Sequence, residues 1–313
     1  MAENFITAVS AVIPMFFLIF IGILVKHYKL LNETELNHLN RMVFHVFFSV
    51  MMFYNLYTAK FQTAIHPKLI IFGATAVLLL FAAVMTGVFL AEPEHRCRGA
   101  MAQAIFRSNF VLMGVPLVAN LFGSTDIAVP TMMIAIIVPL YNILSVLALE
   151  LCRGGQIAFL PVLRGILHNP MILGALVAAA LRLLGISLPT PILKPLGQIA
   201  AATTPIALIV LGASFHANGT GLHRPQLWLC TAAKLFVVPA VMLPLAALLG
   251  FRGVDFVTIL AIFCTPCAVA SFAMAQQMGS DAELAGNCVM VTSALSCFTI
   301  FGWIFSTMMM GLF

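Results

Sequence analysis

The sequence predicts an all-α integral membrane protein, and three observations carry that prediction. Of 313 residues, 62% are hydrophobic and 8% are charged, against about 25% charged in an ordinary soluble domain. The apolar residues come in runs of about 20, the length a helix needs to cross the hydrocarbon core. Within runs such as Ile70–Leu80 they do not alternate with polar residues, as the strands of an outer-membrane barrel would require. A chain so poor in charge cannot cover itself with a water-facing surface, and no long polar stretch remains for a separate soluble domain.

Ten runs follow in order: Phe5–His27, Leu36–Tyr57, Leu69–Leu90, Gly99–Phe122, Ile127–Cys152, Leu167–Leu184, Pro191–Phe215, Gln226–Leu249, Val254–Met278 and Leu284–Met310. The first is expected to be a retained span, because its leading charge is acidic (Glu3) and no small-residue cleavage site follows a cationic start. Basic residues orient the bundle. With the N-terminus outside, Lys26, Lys29, Arg41, Arg96, Arg98, Arg153, Arg164 and Arg224 face the cytoplasm, and Lys60, Lys68, Arg182, Lys194 and Arg252 face out. The excess favours both termini outside a cell (inner, plasma) membrane. The net charge of +5 sits in these short connections and is no nucleic-acid footprint. On this topology the Asn32-Glu33-Thr34 sequon faces the cytoplasm and has no meaning as a glycosylation site.

Ten spans divide into five and five. The polar break Arg153–Arg164, with Gly154-Gly155, falls near the middle, which sets the expected units at 1–160 and 161–313. Five spans per unit force the second unit to enter the membrane inverted, and inverted repeats place their sites where the halves meet.

The fourth span carries Arg107-Ser108-Asn109 and then Gly114-Val115-Pro116; the ninth, its counterpart, carries Thr265-Pro266-Cys267 and Ser271. Proline removes a backbone donor and clashes with the preceding turn, so both helices are expected to lose regular bonding, at Gly114–Pro116 and around Pro266. Two readings remain open. The prolines are ordinary kinks, or they mark a pair of discontinuous helices around a midplane site.

Charges within spans also read two ways. Arg107 and Lys234 lie at similar depth and either steer an anion or snorkel to the interface. His45, mid-span among Phe44, Phe47 and Phe48, is either a proton carrier or a hydrogen-bonded core residue. Asn55, Asn142 and Asn287 suit interhelical hydrogen bonds. Glu150 reads as interfacial. The seven scattered cysteines argue against a disulfide framework, and Cys264-Thr265-Pro266-Cys267 has no second pair to complete a metal site. No nucleotide loop or zinc-protease helix is present in the sequence, so neither an enzyme nor a cofactor is expected.

Asn109-x4-Gly114-x-Pro116-Leu117 resembles the first crossover of the auxin efflux carrier family, and Thr265-Pro266-Cys-Ala-Val-Ala-Ser271, followed by Gln276-Gln277-Met278, resembles its second. His168-Asn169-Pro170, Thr204-Pro205, Leu211-Gly212, Lys234 with Pro239, and Pro139-Leu140-Tyr141-Asn142 add to the likeness, which covers nearly the whole chain. It implies ten transmembrane helices as two inverted five-helix repeats with broken helices 4 and 9 crossing. It also implies a scaffold or dimerising part beside a moving part, a homodimer, and transport of a small organic anion such as malate, malonate or an auxin-like acid. A non-transporting receptor and a sodium-coupled carrier of the bile-acid symporter type are the alternatives. On this reading Asn109, Met113, Gly114, Val115, Pro116, Asn142, Pro266, Cys267, Ala268 and Ser271 form the binding site, with Arg107 and Lys234 steering charge. The chain departs from the family at Phe48-Ser49-Val50, where many members have proline, and it lacks the long central loop of plant members.

Overall fold

The computed structural model describes residues 2–58, 67–122, 128–153, 168–214 and 224–313. Among them there are helices and turns and no strand. The helices are α1 (Ala2–His27), α2 (Glu33–Met42), α3 (Phe48–Thr58), α4 (Pro67–Ala91), α5 (His95–Phe106), α6 (Val115–Phe122) and α7 (Ala128–Leu151), then α8 (Pro170–Leu183), α9 (Thr190–Ser214), α10 (Arg224–Ala232), α11 (Val238–Leu248), α12 (Gly253–Cys264), α13 (Ala270–Gln277) and α14 (Ala282–Met309). Among the described residues five helical stretches are long and apolar enough to cross a membrane: Pro67–Ala91, Val129–Leu151, Thr190–Ser214, Pro225–Leu248 and Ala282–Met309. Shorter apolar helices accompany them. Each helical run overlaps one of the ten apolar runs of the sequence to within a few residues. The central break with Gly154-Gly155, and with it the 160/161 boundary, lies outside the described residues.

Local chemistry sets several helix ends. Asn32 caps α2, its side chain accepting from the Glu35 N–H at 2.9 Å while the Glu35 carboxylate accepts the Asn32 N–H at 2.7 Å. The sequon is therefore a capping box, which satisfies two donors that the first turn would leave unpaired. Asn169 caps α8 in the same manner, with Pro170 at its first position.

Among the described residues three five-residue π turns interrupt α-helical bonding, at Val43–Phe47, Phe110–Gly114 and Ala233–Val237. Two residues beyond the second and third stand Pro116 and Pro239. A π turn is wider than an α turn and disturbs the regular ladder, so a residue without an N–H can follow it at lower cost than in an unbroken helix. Ser49 occupies the same place after the first π turn. Its hydroxyl donates to the His45 carbonyl four residues back at 2.8 Å. The second span thus keeps the widened turn without a proline.

The helices gather into two sets. One comprises α1, α3, α8 and α9, which make the heaviest mutual contacts; the other comprises α4 to α7 and α10 to α14. Gly22 and Gly212 let α1 and α9 touch backbone to backbone, since a Cβ on Gly22 would collide with the Ile209 carbonyl and one on Gly212 with the Ile19 carbonyl. Small residues serve this purpose between membrane helices, where close approach maximises dispersion contact. In the second set α12 is buried from Phe256 to Cys264, and α5 from Gly99 to Phe106. Large apolar side chains such as Phe17, Ile71, Leu79, Leu176, Phe236 and Phe298 point outward, as a lipid-facing surface requires.

A leucine at position 212 is expected to destabilise the α1–α9 seam by about 1–3 kcal/mol, the usual cost of overpacking. The measurement is the thermal unfolding midpoint of the purified variant in detergent, which should fall.

Candidate functional site

The two interrupted helices meet at their interruptions. α5 ends at Phe106, residues 107–109 are extended, and the chain re-enters helix through the π turn into α6. α12 ends at Cys264, residues 265–268 leave the helix, and α13 begins at Ala270. The two arms have matching lengths: α5 and α12 have 12 residues each, α6 and α13 eight each. The Asn109 N–H donates to the Pro266 carbonyl at 2.8 Å, and the Ser108 and Thr265 hydroxyls bond at 2.6 Å. Each break supplies what the other lacks.

This placement corrects the sequence reading of the first break. Regular bonding is lost at Arg107–Asn109, several residues before Gly114–Pro116, and Pro116 lies in the first turn of α6. A proline there costs less than in a regular helix, because the π turn Phe110–Gly114 directly before it has already disturbed the ladder. Gly114 is buried against α12, where a Cβ would come within 3.1 Å of the Ala261 Cβ. Its absence of side chain lets the arms cross.

A cavity of about 80 Å³ opens beside the crossing. It is small against the ~300–1,000 Å³ of common ligand pockets. From the second set of helices come Arg107, Ser108, Asn109, Tyr141, Asn142 and the first turn of α13 at Ala268–Ala270; from the first set come Phe48, Met51 and Asn55 of α3 and Thr204 of α9. Among the described residues no carboxylate lines it. The cavity therefore lies on the seam between the two sets.

Arg107 dominates its electrostatics. Its Cα lies about 18 Å from the start of α5, twelve residues at 1.5 Å per residue, and the residue is 5% exposed. It does not snorkel. The guanidinium donates to Asn142 Oδ1 at 2.6 Å and, at 3.4 Å, to Gln103 Oε1 and Ser145 Oγ, and it lies against Met274 Sδ. All four partners are neutral. A buried cation without a counter-ion costs several kcal/mol after relaxation, and an anion in the cavity would offset that cost. The α13 N-terminus adds the positive end of a helix dipole to the same space. Asn142 is held in turn, donating to the Val138 carbonyl and to Met52 Sδ at 2.9 Å each.

Other residues singled out in the sequence fall elsewhere. Lys234 is fully buried in the third π turn, its Nζ has no hydrogen-bond partner, and it does not line the cavity. Cys267 is buried and donates its N–H to Thr292 Oγ1 at 3.1 Å, which ties the break to α14. Met113 and Ser271 are buried outside the cavity lining. The side chains of Val115 and Pro116 lie outside the described residues. His45 is exposed, with Nδ1 2.9 Å from the Arg41 carbonyl, and it too is absent from the lining. A mid-span position in the sequence did not say which face of the helix His45 occupies. Among the described residues no cluster of three or more His, Cys, Asp or Glu could hold a metal.

Ser108, Thr265, Thr204 and Asn55 gained importance only from the structure. Ser108 and Thr265 did leave a signal, since each directly precedes the key residue of its break, Asn109 or Pro266.

A bundle of apolar helices with two crossing breaks and a charged pocket at their junction defines an integral membrane protein of the transporter class. The family model described as "Membrane transport protein" matches residues 7–158 and 156–304, and the chain belongs to this family, that of the auxin efflux carriers. It is 23% identical over 309 residues to an "Uncharacterized transporter" of Methanothermobacter thermautotrophicus, covering 96% of this chain and 98% of that one. It is 23% identical over 307 residues to a "Putative malonate transporter" of Rhizobium meliloti, covering 94% of each. A third relative, an "Uncharacterized transporter" of Methanocaldococcus jannaschii, is 20% identical over 309 residues, covering 94% and 98%.

Replacing Arg107 by methionine removes an uncompensated buried charge while keeping much of the volume. The variant is expected to melt at the parent temperature or above it, and to lose any upward shift that a carboxylate confers on the parent. Melting curves with and without the carboxylate check both parts.

Proposed function

We propose that this chain is a secondary carrier of small organic anions that works by alternating access, with ten spans arranged as two inverted five-helix repeats and both termini outside. The observation that carries the reading is Arg107: a buried guanidinium with only neutral partners, facing a cavity at the crossing of two broken helices. A substrate carboxylate would meet that guanidinium, the amides of Asn109 and Asn142, and the N-terminal turn of α13. Thr204 and Asn55, on the opposite wall, would contact the remainder of the molecule. The modest cavity favours a short-chain carboxylate over a ring-bearing acid, in keeping with the name of the Rhizobium meliloti relative.

The seam supplies the motion. Cargo held mostly by the second set of helices, against a wall from α3 and α9, can change sides when one set slides against the other. The Gly22–Gly212 contact keeps the first set rigid while this happens.

The decisive experiment is uptake of radiolabelled malonate, malate and related acids into proteoliposomes, after a thermal-shift screen has ranked them. At equal membrane abundance Asn109→Ala should lower flux at least about tenfold, a loss of 1.4 kcal/mol or more in transition-state stabilisation. Unchanged flux would remove Asn109 from the site. Binding of an acid without movement would make the protein a receptor.

A further inference from the structure

A second hollow of about 190 Å³ lies on the same seam. The helical runs that frame the central cavity also frame this one, in consistent order. The run from α2 to α3 contributes Glu33 and Asn37 here and Phe48 to Asn55 there; α9 contributes Leu211 and Ser214 here and Thr204 there. The second break contributes Phe272 and Gln276 here and Ala268 to Ala270 there, and the start of α14 closes the remaining side with Glu283 and Asn287. Thr204 and Leu211 are seven residues apart on one helix, about 10 Å along its axis. The hollows therefore lie end to end.

What divides the two sets of helices at this end is a bridge of amides. Gln276 of α13 donates from Nε2 to Asn37 Oδ1 at 2.8 Å, and its Oε1 accepts from Asn40 Nδ2. Both asparagines belong to α2, which leads into α3 of the first set, and α13 belongs to the second. Asn40 is 1% exposed and its Oδ1 has no partner among the described residues. Asn287, 7% exposed, lines the hollow and makes no hydrogen bond among the described residues. Two polar side chains without full partners among the described residues thus lie at this seam, Asn40 with its Oδ1 shut from water and Asn287 against the hollow.

We infer that Gln276, bridging Asn37 and Asn40, is the gate that closes the second mouth of the passage, and that the polar hollow is the vestibule behind that mouth. The inference rests on the carrier reading. Neutral amides suit a gate, because their bonds break without separating charge and the freed groups pass to water. The hollow is a passage and not a second holding site for the anion, since the charged residues among its described lining are Glu283 and Glu33, the latter paired with Lys26 at 3.8 Å, with no Lys or Arg beside them. A departing anion is repelled from it, while the bound one stays with Arg107.

The test uses accessibility, which reads the gate whether or not a substrate has been found. A cysteine placed at Asn287 reports on the vestibule, and the native cysteines are all buried. Labelling of Asn287→Cys by a charged thiol reagent, corrected for the parent protein, should be slow. It should rise about tenfold when Gln276→Ala is added, the change expected from losing two neutral hydrogen bonds that hold a closed state. An unchanged rate overturns the gate. Separately, the pair Asn37→Cys and Gln276→Cys should form a disulfide under mild oxidation that stops carboxylate flux, with recovery on reduction. A cross-linked carrier that still transports overturns it as well. Wild-type protein that moves no carboxylate would sink the carrier reading and leave the labelling result standing.

Discussion

The structure depends on two chain breaks satisfying one another inside an apolar medium. In a bilayer no water is at hand for exposed N–H and C=O groups, so non-helical backbone survives only where protein or a wet cavity surrounds it. The Asn109 N–H to Pro266 carbonyl bond and the Ser108–Thr265 hydroxyl pair meet that demand across the crossing. The groups left over at the junction face the cavity. Helix breaks, charge and pocket are consequences of one arrangement.

From that junction outward, each departure from regular helix has a local compensation. The π turns ahead of Pro116 and Pro239 widen the backbone where a donor is missing, and Ser49 returns its hydroxyl to the carbonyl of His45 after the π turn Val43–Phe47. Thr292 takes the Cys267 N–H from the second break. Arg107 differs in kind. Its partners are neutral dipoles that orient the guanidinium without cancelling its charge, and a site for anions needs that residue of uncancelled charge. Lys234 shares its burial but is not among the described residues that line the cavity.

The bundle's division into two sets has its own physical basis. Glycine contacts weld α1 to α9, whereas the seam toward α13 is closed by neutral amides and lined by hollows. Backbone contact resists sliding, since any shift brings main chain into collision. Amide bonds tolerate it, since their groups find equal partners in water. The two boundaries thus resist sliding to different degrees, and residue type sets the difference.

The sequence by itself determined the class, the helical runs and the pairing of two weakened helices, because these follow from composition, run length and the positions of proline. It also singled out Asn109, Arg107 and Asn142. It misplaced the first break, since Gly114 and Pro116 look like breakers in one dimension yet in three both follow the break, one as a crossing contact and the other just past a π turn. It could not tell that Arg107 faces the cavity while Lys234 and His45 do not. Linear spacing gives depth along a span, but the face a side chain presents is decided by neighbours distant in the chain. For the same reason Ser108 and Thr265, or Gln276 and Asn40, became partners only when tertiary packing brought their helices together.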